Sequence, residues 1–299
     1  MARDYAIYDV FTGEKLAGNP LAVVFDADGL SDSRMQAIAG EFNLSETVFV
    51  SPPENPAHSA SLRIFTPGKE LPFAGHPTVG AAVALAERQH GEGDHDLVSM
   101  LEEKVGPVRC AVRLRKGTAN FAEFDLPRMS ERMEINLDAQ TVADALCISA
   151  ADIGFENHRL SAWNAGVAYV MVPVRDLHVA ASIRFDPQRW SASPLGTTSA
   201  YVYCRSGVDH RANFHARMFA PDLGIVEDPA TGSAVAAMSG AIHHFDTLGS
   251  GHHALTIEQG VEMGRPSIIH LHIESGGKAV QHARIGGEAV KIAEGRILL

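Results

Sequence analysis

PGKELPFAGHPTVGAAVALAERQHG, residues 67–91, decides the fold. Its first half is punctuated by Pro67, Gly68, Pro72, Gly75 and Pro77, residues that mark turns. Its second half is alanine-rich and predicts a helix from about Thr78 to Arg88. Gly75, the imidazole of His76 and the hydroxyl of Thr78 thus stand at a helix start, where backbone N–H groups lack partners and the macrodipole is positive. Such a turn can hold a carboxylate or phosphate. Equally, Thr78 can cap its own helix.

A second stretch has the same design: EDPATGSAVAAMSGAI, residues 227–242, again runs from a small-residue turn into an alanine-rich helix. Here Gly232 and Ser233 offer the anion-holding groups, and Thr231 and Ser233 are the alternative caps. Two such passages point to an internal duplication, unless alanine content alone makes them alike. Neither turn is a G-x-G-x-x-G or G-x-x-x-x-G-K-[ST] phosphate cradle, so nicotinamide, flavin and ATP have no specific warrant.

Strands are expected at 7–11, 20–27, 45–51 and 59–66, with a helical stripe of Met35, Ile38, Ala39 and Phe42 behind Ser31. DLVSM, VGPVRCAVRLR and TANFAEFDLP complete a first half of sheet with helices against it. The second half opens with a helix in MEINLDAQTVADALCI, with Asp138 as candidate N-cap. It continues through strands GVAYVMVPV, SAYVYCRS and ANFHARMFAP, a loop PDLGIVEDPATGSAV, and a tail of strands.

The chain has 299 residues, enough for one large domain or two, and a formal net charge of -11, which argues against a nucleic-acid partner. No apolar run is long enough to span a membrane, and Asp4 and Asp9 interrupt any secretory leader, so a cytoplasmic protein is expected. Cys110, Cys147 and Cys204 are odd in number and widely spaced, and read as small core or semi-buried residues. Fifteen histidines include the adjacent pairs His243-His244 and His252-His253, and His270 and His272 on one strand face. No third ligand or H-E-x-x-H accompanies them, so no metal is expected.

Two carboxylates stand out. Glu46 precedes the apolar run Val48-Phe49-Val50, where it is either paired in the core or placed to move protons. Asp228 lies just ahead of the second turn. Ordinary surface or capping roles are the bland alternative for both.

Five stretches resemble the phenazine-biosynthesis isomerase family: NLSET at 43–47, RIFT at 63–66, ELPFAGHPT at 70–78, EDPATGSA at 227–234 and QGVEMGRPS at 259–267. The resemblance runs nearly end to end. It implies an α/β (α+β) fold of two pseudo-symmetric diaminopimelate-epimerase-like domains, each a mixed barrel-like sheet around a central helix. The expected domains are residues 1–120, with 290–299 returning to them, and 121–289. The family implies a homodimer that binds a small carboxylated metabolite between the domains and needs no cofactor. It also implies that Glu46, His76 and Asp228 are catalytic and that Gly75, His76, Gly232 and Ser233 bind substrate. The prototype reaction isomerises trans-2,3-dihydro-3-hydroxyanthranilate to its ketone tautomer. An epimerase or tautomerase of another amino or hydroxy acid, or a non-catalytic binding protein, are the alternatives. None of the three cysteines falls in either turn, which excludes the two-thiol racemase mechanism. The role of QGVEMGRPS, and of Arg265 within it, is left open by the sequence.

Overall fold

The computed structural model describes residues 2–91, 93–136, 138–221 and 224–299. Leu137, in the lead-in to the helix capped by Asp138, and Asp222 and Leu223, in the expected PDLGIVED loop, lie outside the described residues, as do Met1 and Glu92. The chain forms two compact units, residues 1–127 with 285–299, and residues 128–284.

The first unit contains β1 (Ala2–Val10), β2 (Asn19–Val24), α1 (Asp32–Phe42), β3 (Glu46–Ser51), β4 (Ala60–Phe65), β5 (Glu70–Leu71), α2 (Gly75–His90), β6 (His95–Glu103), β7 (Gly106–Leu114) and β8 (Asn120–Asp125). The final strand of the chain, Val280–Leu298, pairs with β1 from Ala2↔Leu298 to Val10↔Ala289. It also pairs with β8, and so closes an eight-stranded barrel in the order β1, β2, β3, β4, β6, β7, β8, final strand. This closure moves both expected boundaries. β8 belongs to the first unit because it is laddered to β7, with Cys110 opposite Phe124, and the returning segment begins near 285 and not 290.

α1 is set by its ends. The Ser31 side chain accepts from the Arg34 N–H, and Asn43 closes the helix in the left-handed conformation (φ 50°) and turns the chain into β3. Its buried Met35, Ile38 and Ala39 pack on Val24, Phe49 and Phe65 outside the barrel. α2 instead runs inside, touching β1, β2, β3, β6, β7 and β8, and is buried from Gly75 through Ala84. The small side chains of GAAVALA make that possible. A Cβ on Gly80 would lie 2.5 Å from Leu21 Cδ2 and 2.8 Å from Val10 Cγ2. α2 starts at Gly75, ahead of the expected Thr78, because Pro77 lies in the first turn, where its missing N–H breaks no helical bond.

The second unit contains β9 (Glu131–Met133), α3 (Ala139–Leu146), β10 (Ser161–Asn164), β11 (Ala168–Pro173), α4 (Leu177–Ser182), α5 (Pro187–Ala192), β12 (Ser199–Arg205), β13 (Phe214–Ala220), β14 (Ile225–Asp228), α6 (Gly232–Phe245), β15 (Gly251–Gln259) and β16 (Ser267–Ser275). Asp138 caps α3 by accepting from the Thr141 N–H at 2.8 Å. α3, α4 and α5 bury Val142, Leu146, Val179 and Trp190 against Val170, Val172, Val202 and Phe219. α6 is the inner helix, packed on β9, β10, β11 and β16.

The duplication is visible in the ladders. In the first unit β1–β2 is antiparallel, β2–β3 parallel, β3–β4 and β4–β5 antiparallel, then after α2 β4–β6 is parallel and β6–β7 antiparallel. In the second unit β10–β11, β11–β12, β12–β13, β13–β14, β13–β15 and β15–β16 repeat that order, with α6 in the place of α2. An ion pair repeats too. Arg63 of β4 forks onto Glu70 of β5 at 2.8 and 2.7 Å, and Arg217 of β13 forks onto Glu227 of β14 at 2.8 and 2.9 Å. Each fork pins the hairpin that delivers the chain to the inner helix.

Candidate active site

Glu46 is the first residue of β3, opposite Leu21 in the parallel ladder, and is only 8% exposed. Its Oε2 lies 3.4 Å from Nε2 of His76, the second residue of α2. The other ring nitrogen, Nδ1, receives the side-chain N–H of Asn19 at 3.3 Å. An amide that donates to Nδ1 makes that nitrogen the acceptor, so the ring proton sits on Nε2, which meets no hydrogen-bond partner among the described residues. Burial pushes the His76 pKa down to about 3, so the ring is neutral at ordinary pH. Asn19 opens β2 and is fully buried. Sequence reasoning missed it; a carboxamide entering an otherwise apolar strand is the signal that could have found it.

Gly75 begins α2, and no side chain caps that end. Thr78 does not cap its helix: its hydroxyl lies 2.8 Å from the Ala74 carbonyl and 2.7 Å from Glu103 Oε1. Burial raises the Glu103 pKa to about 8 against the opposing hydrogen bond of Thr78, so this carboxyl is largely protonated at neutral pH.

In the second unit Asp228 ends β14, 4% exposed, and accepts the Thr231 hydroxyl on Oδ2. α6 begins at Gly232 with Thr231 at the cap position, again without a side-chain cap. The Ser233 hydroxyl is 2.7 Å from the Tyr169 hydroxyl, so it too is not a cap. The structure therefore brings Glu46, Gly75 and His76 together in one unit and Asp228, Gly232 and Ser233 together in the other. Tyr169, on β11, was invisible in sequence because an aromatic in a strand reads as core.

Cys110 and Cys204 are buried, but Cys147 is exposed, a correction that follows from its place as the left-handed C-cap of α3. His252 Nε2 lies 3.2 Å from His272 Nδ1. Among the described residues no group of three or more His, Cys, Asp or Glu side chains is arranged to hold a metal ion, and no helix is long and apolar enough to cross a membrane.

The model of the family described as "Phenazine biosynthesis-like protein" matches residues 8–295. An uncharacterized isomerase of Mesorhizobium japonicum is 54% identical over 302 residues, covering 99% of each chain. The trans-2,3-dihydro-3-hydroxyanthranilate isomerase of Pseudomonas aeruginosa is 34% identical over 295 residues, with 99% of each chain covered. The crystal structure of a phenazine biosynthesis protein of the PhzF family from Bacillus anthracis superposes with a TM-score of 0.89 at 25% identity, over 100% of both chains.

Proposed function

The chain belongs to the phenazine-biosynthesis-like protein family, and from that premise we propose that it is a cofactor-independent isomerase that shifts a proton along a small carboxylated substrate. The observation that carries this is the buried Glu46–His76–Asn19 array. Glu46 removes a proton from carbon, the electron pair enters the substrate's own conjugated system, and Glu46 returns the proton at the far end of that system. Neutral His76 donates its single Nε2–H to the substrate's amino or hydroxyl group beside Glu46, and Asn19 fixes its tautomer. The uncapped N–H groups at Gly75 hold its carboxylate. Asp228, Ser233 and the uncapped N–H groups at Gly232 are the candidate polar-group binders of the second unit.

The proposed substrate is trans-2,3-dihydro-3-hydroxyanthranilate or a close chemical relative. NMR in D2O with that compound tests the reading, comparing wild type with Glu46→Gln. Isomerisation with deuterium uptake that vanishes in the folded variant supports both reaction and base. No turnover by folded wild type rejects this substrate. Deuterium appearing at a stereocentre of another amino or hydroxy acid, with inversion, would establish the epimerase alternative.

A further inference from the structure

We propose that Gln259 is a positioning residue for Asp228, and that His215, clamped between Glu258 and Glu262, holds the 259–265 loop that presents it. This rests on Asp228 being part of the working site, and it assigns a role to the QGVEMGRPS segment.

Gln259 ends β15 and is fully buried. Its amide nitrogen donates to the Asp228 carbonyl at 2.8 Å and to Thr231 Oγ1 at 3.0 Å. Its amide oxygen accepts from the Thr231 N–H at 3.2 Å and from the Tyr201 hydroxyl at 3.2 Å. All four bonds a carboxamide can make are used. One has a directional consequence. Because Thr231 Oγ1 receives a hydrogen from Gln259, its own single hydrogen is left for the Asp228 carboxylate. Gln259 thus fixes the backbone of the turn and, through Thr231, the orientation of the carboxylate.

The loop after Gln259 is built to stay in place. Gly260 has φ 80°, and a Cβ there would lie 2.4 Å from the Arg265 carbonyl oxygen and 2.5 Å from the Pro229 carbonyl oxygen. The loop therefore packs backbone to backbone on the Asp-Pro-Ala-Thr turn. It closes on itself through Met263 N–H and Arg265 N–H to the Gly260 carbonyl at 3.2 and 3.0 Å. Within it Glu262 Oε1 lies 2.9 Å from His215 Nε2, while His215 Nδ1 lies 2.7 Å from Glu258 Oε2. Glu258 also receives the N–H groups of Val208 and Asp209 at 2.8 and 2.7 Å. A ring 1% exposed with a carboxylate at each nitrogen bonds both only as the imidazolium. Burial lowers its pKa, but the hydrogen bonds and charges of Glu258 and Glu262 prevail and hold it at about 9.

Amide hydrogen exchange at Thr231 tests this without any substrate, with the Thr78 N–H at the start of the other inner helix as internal control. In Gln259→Leu and in Glu262→Ala, Thr231 should exchange at least about tenfold faster while Thr78 is unchanged, and Glu262→Gln should restore part of the protection. Unchanged Thr231 protection in folded Glu262→Ala overturns the clamp, and unchanged protection in Gln259→Leu overturns the proposal entirely. With trans-2,3-dihydro-3-hydroxyanthranilate, kcat should fall about tenfold or more with KM nearly constant. Faster exchange with kcat intact would overturn the positioning role. Absence of turnover by wild type counts against the proposed reaction, and the exchange result then decides this inference alone.

Discussion

Glu46 and Ser199 hold the same register position in the two halves: each opens the strand that runs parallel to the second strand of its motif, Glu46 opposite Leu21 and Ser199 opposite Tyr169. The inner helices align in the same way, so His76, second in α2, corresponds to Ser233, second in α6. The duplicated frame therefore carries a carboxylate and an imidazole in one half and hydroxyls at the matching places in the other. One base that serves both ends of a proton shift fits this asymmetry. A mirror pair of bases does not.

Glu46→Gln should lower kcat on the order of a thousandfold with little change in thermal stability, since the amide fills the same volume. Ser199→Ala should leave kcat nearly unchanged. Steady-state rates on one substrate decide it; equal losses in the two variants would contradict a single base in the first unit.

The His76 tautomer depends on Asn19. In ¹⁵N NMR of the imidazole, wild type should keep a neutral ring with its proton on Nε2 from pH 5 to 8, because its pKa is held near about 3. Asn19→Ala should mix the tautomers and lower kcat more than it raises KM. A His76 that titrates near pH 6.5 in wild type would refute the assignment.

Two buried histidines give stability opposite slopes with pH. His76 has a folded pKa below its unfolded value, so the unfolded chain binds the extra proton between about 3 and 6.5 and stability rises with pH there. His215 has a folded pKa of about 9, so its contribution is complete below 6.5 and is lost as pH rises through about 9. Urea unfolding should show the gap between wild type and His215→Gln shrinking above pH 6.5, by an amount on the order of 3 kcal/mol. A gap that stays constant above pH 6.5 would mean His215 is neutral in the fold.

The two Arg–Glu forks should differ in weight. Arg217 is buried and also donates to the Ala180 carbonyl at 2.8 Å, so Arg217→Ala strands Glu227 and should cost about 3 kcal/mol. Arg63 is 28% exposed at its side chain and Glu70 keeps Lys104, so Arg63→Ala should cost about 1 kcal/mol or less. Denaturant midpoints of the two variants provide the comparison.

Local chemistry was legible in the sequence. Turn residues and alanine-rich runs placed both inner helices, although Pro77 let α2 begin earlier than its alanines suggested. Ser31 and Asp138 marked helix starts because a cap bonds only residues two or three positions away. Glu46, His76 and Asp228 stood out as candidates beside a buried strand and two helix-opening turns, and their roles rest on the family resemblance.

The repeated pattern is written in the residues themselves: two turns that each open a small-residue helix, with candidate carboxylates and an imidazole near them. Tertiary structure alone decided how those groups are held. Asn19 meets His76 across 57 positions, Tyr169 meets Ser233 across 64, and His215 meets Glu258 across 43. Such partners are set by strand register and by the inner helices packed on the sheets, which bring distant residues within hydrogen-bonding reach and bury them. Burial leaves His76 neutral, whereas the carboxylates of Glu258 and Glu262 outweigh burial and leave His215 charged, although the two side chains are chemically identical.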